Sequence, residues 1–210
     1  MKGPAIIIPF KGQDHKSRLA PMLDEPLRRE LACLLLRGVL RAVKQAGLQR
    51  RCFVVSSDPS AGKMARRSGA SFVTEEKDAG VNSAVRAGLR EAHEFERLIV
   101  IPSDLPHLSP EDVNSALELG EAKEFVIAPS RAFNGTNLLF FTRARPPQLS
   151  FDQNSFWNHL ASAASRGLST GVLTRQGILF DLDSPDDVGQ MVSLGLNAEA
   201  TRFIRRSSRR

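Results

Sequence analysis

Three aspartates stand at the ends of two apolar runs. Asp104 closes Arg97-Leu98-Ile99-Val100-Ile101-Pro102-Ser103-Asp104, and Asp181 and Asp183 close Gly177-Ile178-Leu179-Phe180-Asp181-Leu182-Asp183. Read as buried strands, both runs end in carboxylate. In an open α/β sheet, ligands bind outside the carboxyl ends of the strands. Carboxylates there, with no equally obvious basic neighbour, point to a divalent cation such as Mg²⁺ holding phosphates. Taken singly, Asp104 or Asp183 fits a simple turn after a strand about as well. The two sites together, beside a basic loop near the N-terminus, favour the metal.

That loop is Pro9-Phe10-Lys11-Gly12-Gln13-Asp14-His15-Lys16-Ser17-Arg18-Leu19, which follows the apolar run Ala5-Ile6-Ile7-Ile8. Lys11, Lys16 and Arg18 fall within it, with Ser17 between the last two. A triphosphate needs cationic groups and backbone donors, and arginine can hold phosphate oxygens with two parallel bonds. From charge alone, a solvated basic loop is an equal alternative. Neither a Walker A string nor G-x-G-x-x-G is present, so a P-loop ATPase and a dinucleotide-binding Rossmann motif are unsupported.

The elements that must position these residues alternate. Strands are expected at 5–8, 52–56, 71–73, 97–101, 125–128, 138–141 and near 171–181. Helices are expected at 25–46, where leucine, valine and alanine recur at helical spacing, and at 59–68, 82–92 and 155–166. Ser109-Pro110-Glu111-Asp112 and Ser184-Pro185-Asp186-Asp187 both read as helix starts, with serine at the cap and proline at the first position. This alternation predicts an α/β fold, a single three-layer α/β/α domain around a mostly parallel mixed sheet. The stretch 143–150 breaks the pattern and reads as a hairpin or a lobe that packs on another subunit.

Composition narrows the partners. With 210 residues the chain fits one large domain. The net charge of +6 is misleading, because residues 201–210 hold five of the 29 basic residues and no acid. The body is nearly neutral, which argues against nucleic acid as the main partner. The domain is therefore placed at 1–200, with 201–210 as a solvated basic tail. No apolar stretch is long enough for a bilayer, and residues 1–30 lack a signal-peptide pattern, so a cytoplasmic protein is expected. Cys33 and Cys52 have no metal spacing and read as reduced core residues.

The order and spacing of several strings resemble one family, the 2-phospho-L-lactate guanylyltransferases of coenzyme F420 biosynthesis, relatives of the molybdenum-cofactor nucleotidyltransferases. The strings are Lys16-Ser17-Arg18-Leu19-Ala20-Pro21, Gly80-Val81-Asn82-Ser83-Ala84, Ile101 to Pro106, Ala128-Pro129-Ser130-Arg131 leading to Gly135-Thr136-Asn137, Ser155 to His159, and Asp181-Leu182-Asp183-Ser184-Pro185. The resemblance implies a nucleotide-diphospho-sugar transferase-like fold and transfer of GMP from GTP to a phosphorylated three-carbon acid. The best match for the acceptor is 2-phospho-L-lactate; phosphoenolpyruvate and 3-phospho-D-glycerate are the alternatives.

It implies that Asp104, Asp181 and Asp183 hold Mg²⁺. Lys11, Lys16, Ser17 and Arg18 would bind the nucleotide phosphates, with Lys11, Lys16, Arg18 and Asp104 carrying the transfer. Gly80 and Asn82 would help read guanine, although Asn82 also fits a helix cap. Thr136, Ser155 and Asp152 would face the acceptor. Family members often have glycine where this chain has Asp152, and a carboxylate beside an anionic acceptor changes that contact. A homodimer is expected from family habit. Two other readings are a nucleotide-sugar-dependent glycosyltransferase, since Asp181-Leu182-Asp183 is a D-x-D, and a non-enzymatic nucleic-acid-binding module using the arginine tail.

Overall fold

The structure, a computed structural model, describes residues 3–11, 16–75, 79–195 and 197–207. His15 of the basic loop and the last three residues of the tail lie outside them. Seven strands form one sheet: β1 (Ala5–Pro9), β2 (Cys52–Ser56), β3 (Ser71–Thr74), β4 (Arg97–Val100), β5 (Phe125–Pro129), β6 (Thr136–Thr142) and β7 (Thr170–Val172). Their order is β3-β2-β1-β4-β6-β5-β7. Only β6 runs against its neighbours, pairing antiparallel with β4 and β5. The expected α/β fold with a mostly parallel mixed sheet is what the chain adopts.

Alternation along the strands builds the two cores, because successive side chains point to opposite faces. Ile6, Ile8, Val54, Ile99, Val126 and Phe140 face α1 (Glu25–Gln45), α2 (Pro59–Ser68) and α4 (Pro110–Ala122). Ala5, Ile7, Val55, Val100, Ile127 and Phe141 face α3 (Val81–Glu91) and α5 (Ser155–Ser165). Gly88 on α3 allows a close approach: a Cβ there would lie 2.6 Å from Ile7 Cγ2. A third cluster packs Leu31 and Leu35 of α1 against Phe180, Leu182, Met191 and Ile204.

The helix starts follow local chemistry. Asp24 accepts the Leu27 N–H at 3.0 Å to open α1. Ser109 and Asp112 form a reciprocal capping box at α4, and Ser184 and Asp187 form another at α7 (Pro185–Ser193). Cys52 is buried and Cys33 half-buried, and both are free thiols.

Four expectations change. The last strand ends at Val172, and Gln176–Leu179 is a short helix, α6. A brief apolar run does not distinguish strand from helix, and Ile178 is fully buried as a helical residue. Residues 201–207 are not a solvated tail. They belong to α8 (Ala198–Ser207), which crosses the boundary drawn at 200, buries Thr201 and Ile204 and packs on α1 and α7. The 143–150 segment is an irregular connection rather than a hairpin. Its first residue, Arg143, donates to the carbonyls of Leu89, Ala92 and Phe95 at 2.7–3.2 Å. The size and apolarity of Trp157 in the sequence predict a packed residue, yet it is 57% exposed. No helix among the described residues is long and apolar enough to cross a membrane.

Candidate active site

The chain order reverses between β1 and β4. From β1 the sheet grows one way through β2 and β3, and β4 lies on its other side. A crevice outside the carboxyl ends of strands forms at such a switch. A cavity of about 450 Å³ opens there. Lys11, Lys16, Ser17 and Arg18, all from the loop after β1, line it together with Gly80. Asp104, just after β4, and Asp183 complete its charged wall. Seven of the expected site residues therefore meet in one place.

Backbone contacts bring the two aspartate segments together. The Leu182 N–H donates to the Asp104 carbonyl at 3.2 Å. The Asp183 and Ser184 N–H groups donate to Asp187 Oδ2 at 3.1 and 2.8 Å, so the cap of α7 also fixes Asp183. Asn137, buried in β6, donates to the carbonyls of Ile178 and Leu179 and to Asp181 Oδ1 at 2.9–3.4 Å. This anchor was not singled out from the sequence, where Gly135-Thr136-Asn137 reads as a turn. A buried amide next to the D-x-D segment carries no local signature.

The electrostatics centre on Lys16. Its ammonium lies 2.6 Å from Asp104 Oδ2 and 2.7 Å from Asp183 Oδ1, with the side chain only 8% exposed. Burial opposes its charge, but the two carboxylates outweigh burial and hold its pKa above the usual lysine range. Arg18 Nη1 stands 3.8 Å from Asp183 Oδ2. Burial would raise Asp183, yet Lys16 and Arg18 draw its pKa below the ordinary value. Asp104 goes up, because burial and the Asp183 charge exceed the pull of Lys16. Burial and the charges of Asp104 and Asp183 push Asp181 up to about 6.

The donors here are carboxylate oxygens, although among the described residues no three acidic, histidine or cysteine side chains converge as a ready-made metal site. Asp104 Oδ1 is buried with no hydrogen-bond partner among the described residues. Asp181 carries a raised pKa because it is buried beside two like charges. An oxygen-rich, under-neutralised set of this kind is the donor chemistry that Mg²⁺ prefers.

The remaining expected residues lie beside this cavity rather than on its wall. Asn82 Nδ2 donates to Asp152 Oδ2 at 2.9 Å, and Asn82 Oδ1 accepts the Phe151 N–H at 2.9 Å. Its amide is thus engaged with the 151–152 segment. Asn82 does not cap α3, since Gly80 occupies that position. The Asp152 carboxylate is turned to α3 by the same contact. Thr136, at the start of β6, and Ser155, at the start of α5, are both buried. His159, one turn after Ser155, lies 3.0 Å from Thr136 Oγ1.

Fold and site together define a nucleotide-diphospho-sugar transferase-like α/β protein. A protein described as a nucleotide-diphospho-sugar transferase from Desulfovibrio desulfuricans G20 superposes with a TM-score of 0.76 at 14% identity, covering 98% of this chain and 95% of that one. Rv0371c from Mycobacterium tuberculosis H37Rv, in a complex with manganese, superposes with a TM-score of 0.60 at 17% identity, covering 90% and 98%. These likenesses concern the fold.

The chain belongs to the family described as guanylyl transferase CofC like, whose model matches residues 4–208. It is similar to a phosphoenolpyruvate guanylyltransferase of Rubrobacter xylanophilus, 40% identical over 90% of this chain and 93% of that protein. It is 33% identical to a 3-phospho-D-glycerate guanylyltransferase of Phenylobacterium zucineum, over 87% and 86%. It is 31% identical to a 2-phospho-L-lactate guanylyltransferase of Methanothermobacter thermautotrophicus, over 98% and 91%. The match across the C-terminal helix agrees with α8 being part of the folded unit.

Proposed function

We propose that this protein transfers GMP from GTP to the phosphate of a small phosphorylated three-carbon acid, releasing pyrophosphate. The observation that carries this reading is the convergence of the basic loop, Gly80 and two aspartates on one cavity at the switch point. The 40% identity to a phosphoenolpyruvate guanylyltransferase supports testing phosphoenolpyruvate first, beside 2-phospho-L-lactate and 3-phospho-D-glycerate. Such an acceptor is consistent with a place in coenzyme F420 biosynthesis, in the cytoplasm.

In this reading Lys11, Lys16 and Arg18 neutralise the triphosphate, with Ser17 beside them. Gly80 lets the backbone come close to the base, while Asn82 and Asp152 tie the base side to the acceptor side. Thr136 and Ser155 bind the acceptor. Asp104, Asp181 and Asp183 hold Mg²⁺, which when bound supplies charge neutralisation on the phosphates.

An acceptor oxygen attacks the α-phosphorus, the new O–P bond forms, and the bond to the β-phosphate oxygen breaks to release pyrophosphate. A phosphate monoester is largely dianionic at neutral pH, its second pKa being ~6, so no general base is required. Positioning and charge neutralisation do the work. We further read the chain as a homodimer. The exposed Trp157 and Phe133, both edge-on to Phe156, supply an apolar face for it.

The test is pyrophosphate release with Mg²⁺ and GTP, offering the three acids separately and ATP and CTP as controls. Release with GTP and one acid is expected. Absence of release with all three, in protein that binds GTP, would refute the acceptor class.

A further inference from the structure

His159 has no exposed surface, yet both of its ring nitrogens are engaged. The Ser150 N–H donates to Nε2 at 3.0 Å. A backbone N–H can only donate, so Nε2 is the lone-pair nitrogen and Nδ1 carries the proton. Nδ1 lies 3.0 Å from Thr136 Oγ1, and the ring also meets the Ser155 backbone carbonyl one turn back. Both of those oxygens can accept. With Nδ1–H donating to it, the Thr136 hydroxyl cannot give its own proton to the ring. Its O–H is left to donate to something else.

The same ring holds the neighbouring segment. Phe151 packs edge-on to it, with ring centroids 4.9 Å apart. Phe151 also lines the cavity beside Lys16 and Asp104, and its N–H is held by Asn82. One side chain therefore joins the start of β6, the start of α5 and the 150–151 segment. Burial pushes its pKa down to about 4, so it brings no positive charge to this place.

We infer that His159 is a positioning residue for the acceptor: its Nδ1–H fixes the Thr136 hydroxyl as a hydrogen-bond donor toward an anionic oxygen of the phosphorylated acid, and its Nε2 holds the 150–151 segment in register. This rests on the reading of Thr136 as an acceptor contact. A neutral donor suits a carboxylate or phosphate oxygen and gives nothing to a ligand group that can only donate. It also explains a fully buried histidine that no step of the transfer needs.

The experiment compares the unmodified protein with His159→Phe, His159→Asn, Thr136→Val and the His159→Phe/Thr136→Val pair. KM and kcat are measured separately for the acceptor acid and for GTP. Phenylalanine keeps the ring and removes both bonds. It is expected to raise the acceptor KM about tenfold while leaving the GTP KM within about twofold, the pattern of lost ground-state binding. Asparagine retains an N–H near the Nδ1 position and should recover most of that loss. In the Thr136→Val background, His159→Phe should change the acceptor KM little, since the two act as a unit.

An unchanged acceptor KM in His159→Phe, or equal increases for both substrates, would overturn the inference alone. Failure of the unmodified protein to turn over any of the three acids would overturn it together with the proposed function. If His159→Phe does not fold, nitrogen-15 NMR of the unmodified protein decides the tautomer: a proton on Nδ1 supports the inference, and one on Nε2 overturns it.

Discussion

The Lys16 ammonium sits between Asp104 and Asp183, within hydrogen-bond distance of both carboxylates. Its backbone is in the left-handed region, φ 49° and ψ 45°, where residues other than glycine are uncommon. Two ion pairs made by a nearly buried ammonium offset that local cost. The contact explains how two neighbouring carboxylates are accommodated at a partly buried site. It also places the lysine proposed to bind phosphate directly against two of the aspartates proposed to hold the metal.

Replacing that ammonium should expose the cost of the cluster. Lys16→Met leaves two carboxylates facing each other with only Arg18 nearby. Removing one partner of a fully buried pair costs ~3–5 kcal/mol. Asp183 is 41% exposed, so about 2 kcal/mol is expected here after allowing for solvent screening. Thermal unfolding in EDTA should shift downward and recover when Mg²⁺ or Mn²⁺ is added. An unchanged melting temperature in EDTA would contradict the electrostatic account.

Neutralising the aspartates should act on turnover rather than on folding. Asp104→Asn and Asp183→Asn are each expected to lower pyrophosphate release about 100-fold or more at saturating Mg²⁺. Circular dichroism should stay native-like, because Asp104 and Asp183 lie at the site rather than in the cores. Near-normal activity of both variants would remove the metal assignment.

Arg143 gives a stability prediction far from the chemistry. Its guanidinium fork satisfies three carbonyls near the end of α3, an arrangement a lysine cannot match. Arg143→Ala is expected to cost about 2 kcal/mol in urea unfolding, and Arg143→Lys to recover less than half of it. Full recovery by lysine would show that charge at the helix end, not the fork, is what matters.

The pH dependence of stability has two opposed parts. His159 titrates near 4 in the folded protein and near 6.5 when unfolded. The unfolded chain takes the proton first, so its contribution is present above about 6.5 and is lost as the pH falls toward 4. Asp181 works the other way. Its carboxyl is held up to about 6 against an ordinary 3.8, so the folded metal-free protein takes the proton first. That contribution is lost as the pH rises through about 6. Asp181→Asn removes one side of the balance. Between pH ~7 and ~4.5 in EDTA, the variant should lose about 2 kcal/mol of stability while the unmodified protein loses less. Equal losses in urea titrations would refute the opposition.

The readable parts of this molecule were those with short-range causes. Asp104 follows four apolar residues, and the basic loop follows three isoleucines, so their place at strand ends is visible in the chain. The capping boxes at Ser109 and Ser184 are likewise local chemistry. What the chain hides depends on partners distant in sequence. Gln176–Leu179 is helical with β7 already at the sheet edge and Asn137 holding its carbonyls. In α8, Arg202, Arg205 and Arg206 mask a narrow apolar face whose burial depends on α1 and α7. Asn82 reads as a cap or a base contact, and only the fold brings it within reach of residues 151 and 152. Trp157 shows the converse: a large aromatic residue suggests a core position, and the helix turns it outward.

The reversed direction of β6 carries a consequence for how this protein can diversify. Because β6 runs against β4, its first residues rather than its last reach the rim where the cavity opens. The hairpin joining β5 to β6, residues 130–135, therefore lies on that rim, apart from the loop after β1. With Thr136 proposed as an acceptor contact, exchanges in that hairpin are expected to change acceptor KM before GTP KM, which steady-state kinetics with each substrate varied would check. The end of β6 at Thr142 falls on the opposite rim, paired with Arg97 at the start of β4. One inverted strand thus sets the start of a strand among the ends of its neighbours at the cavity rim.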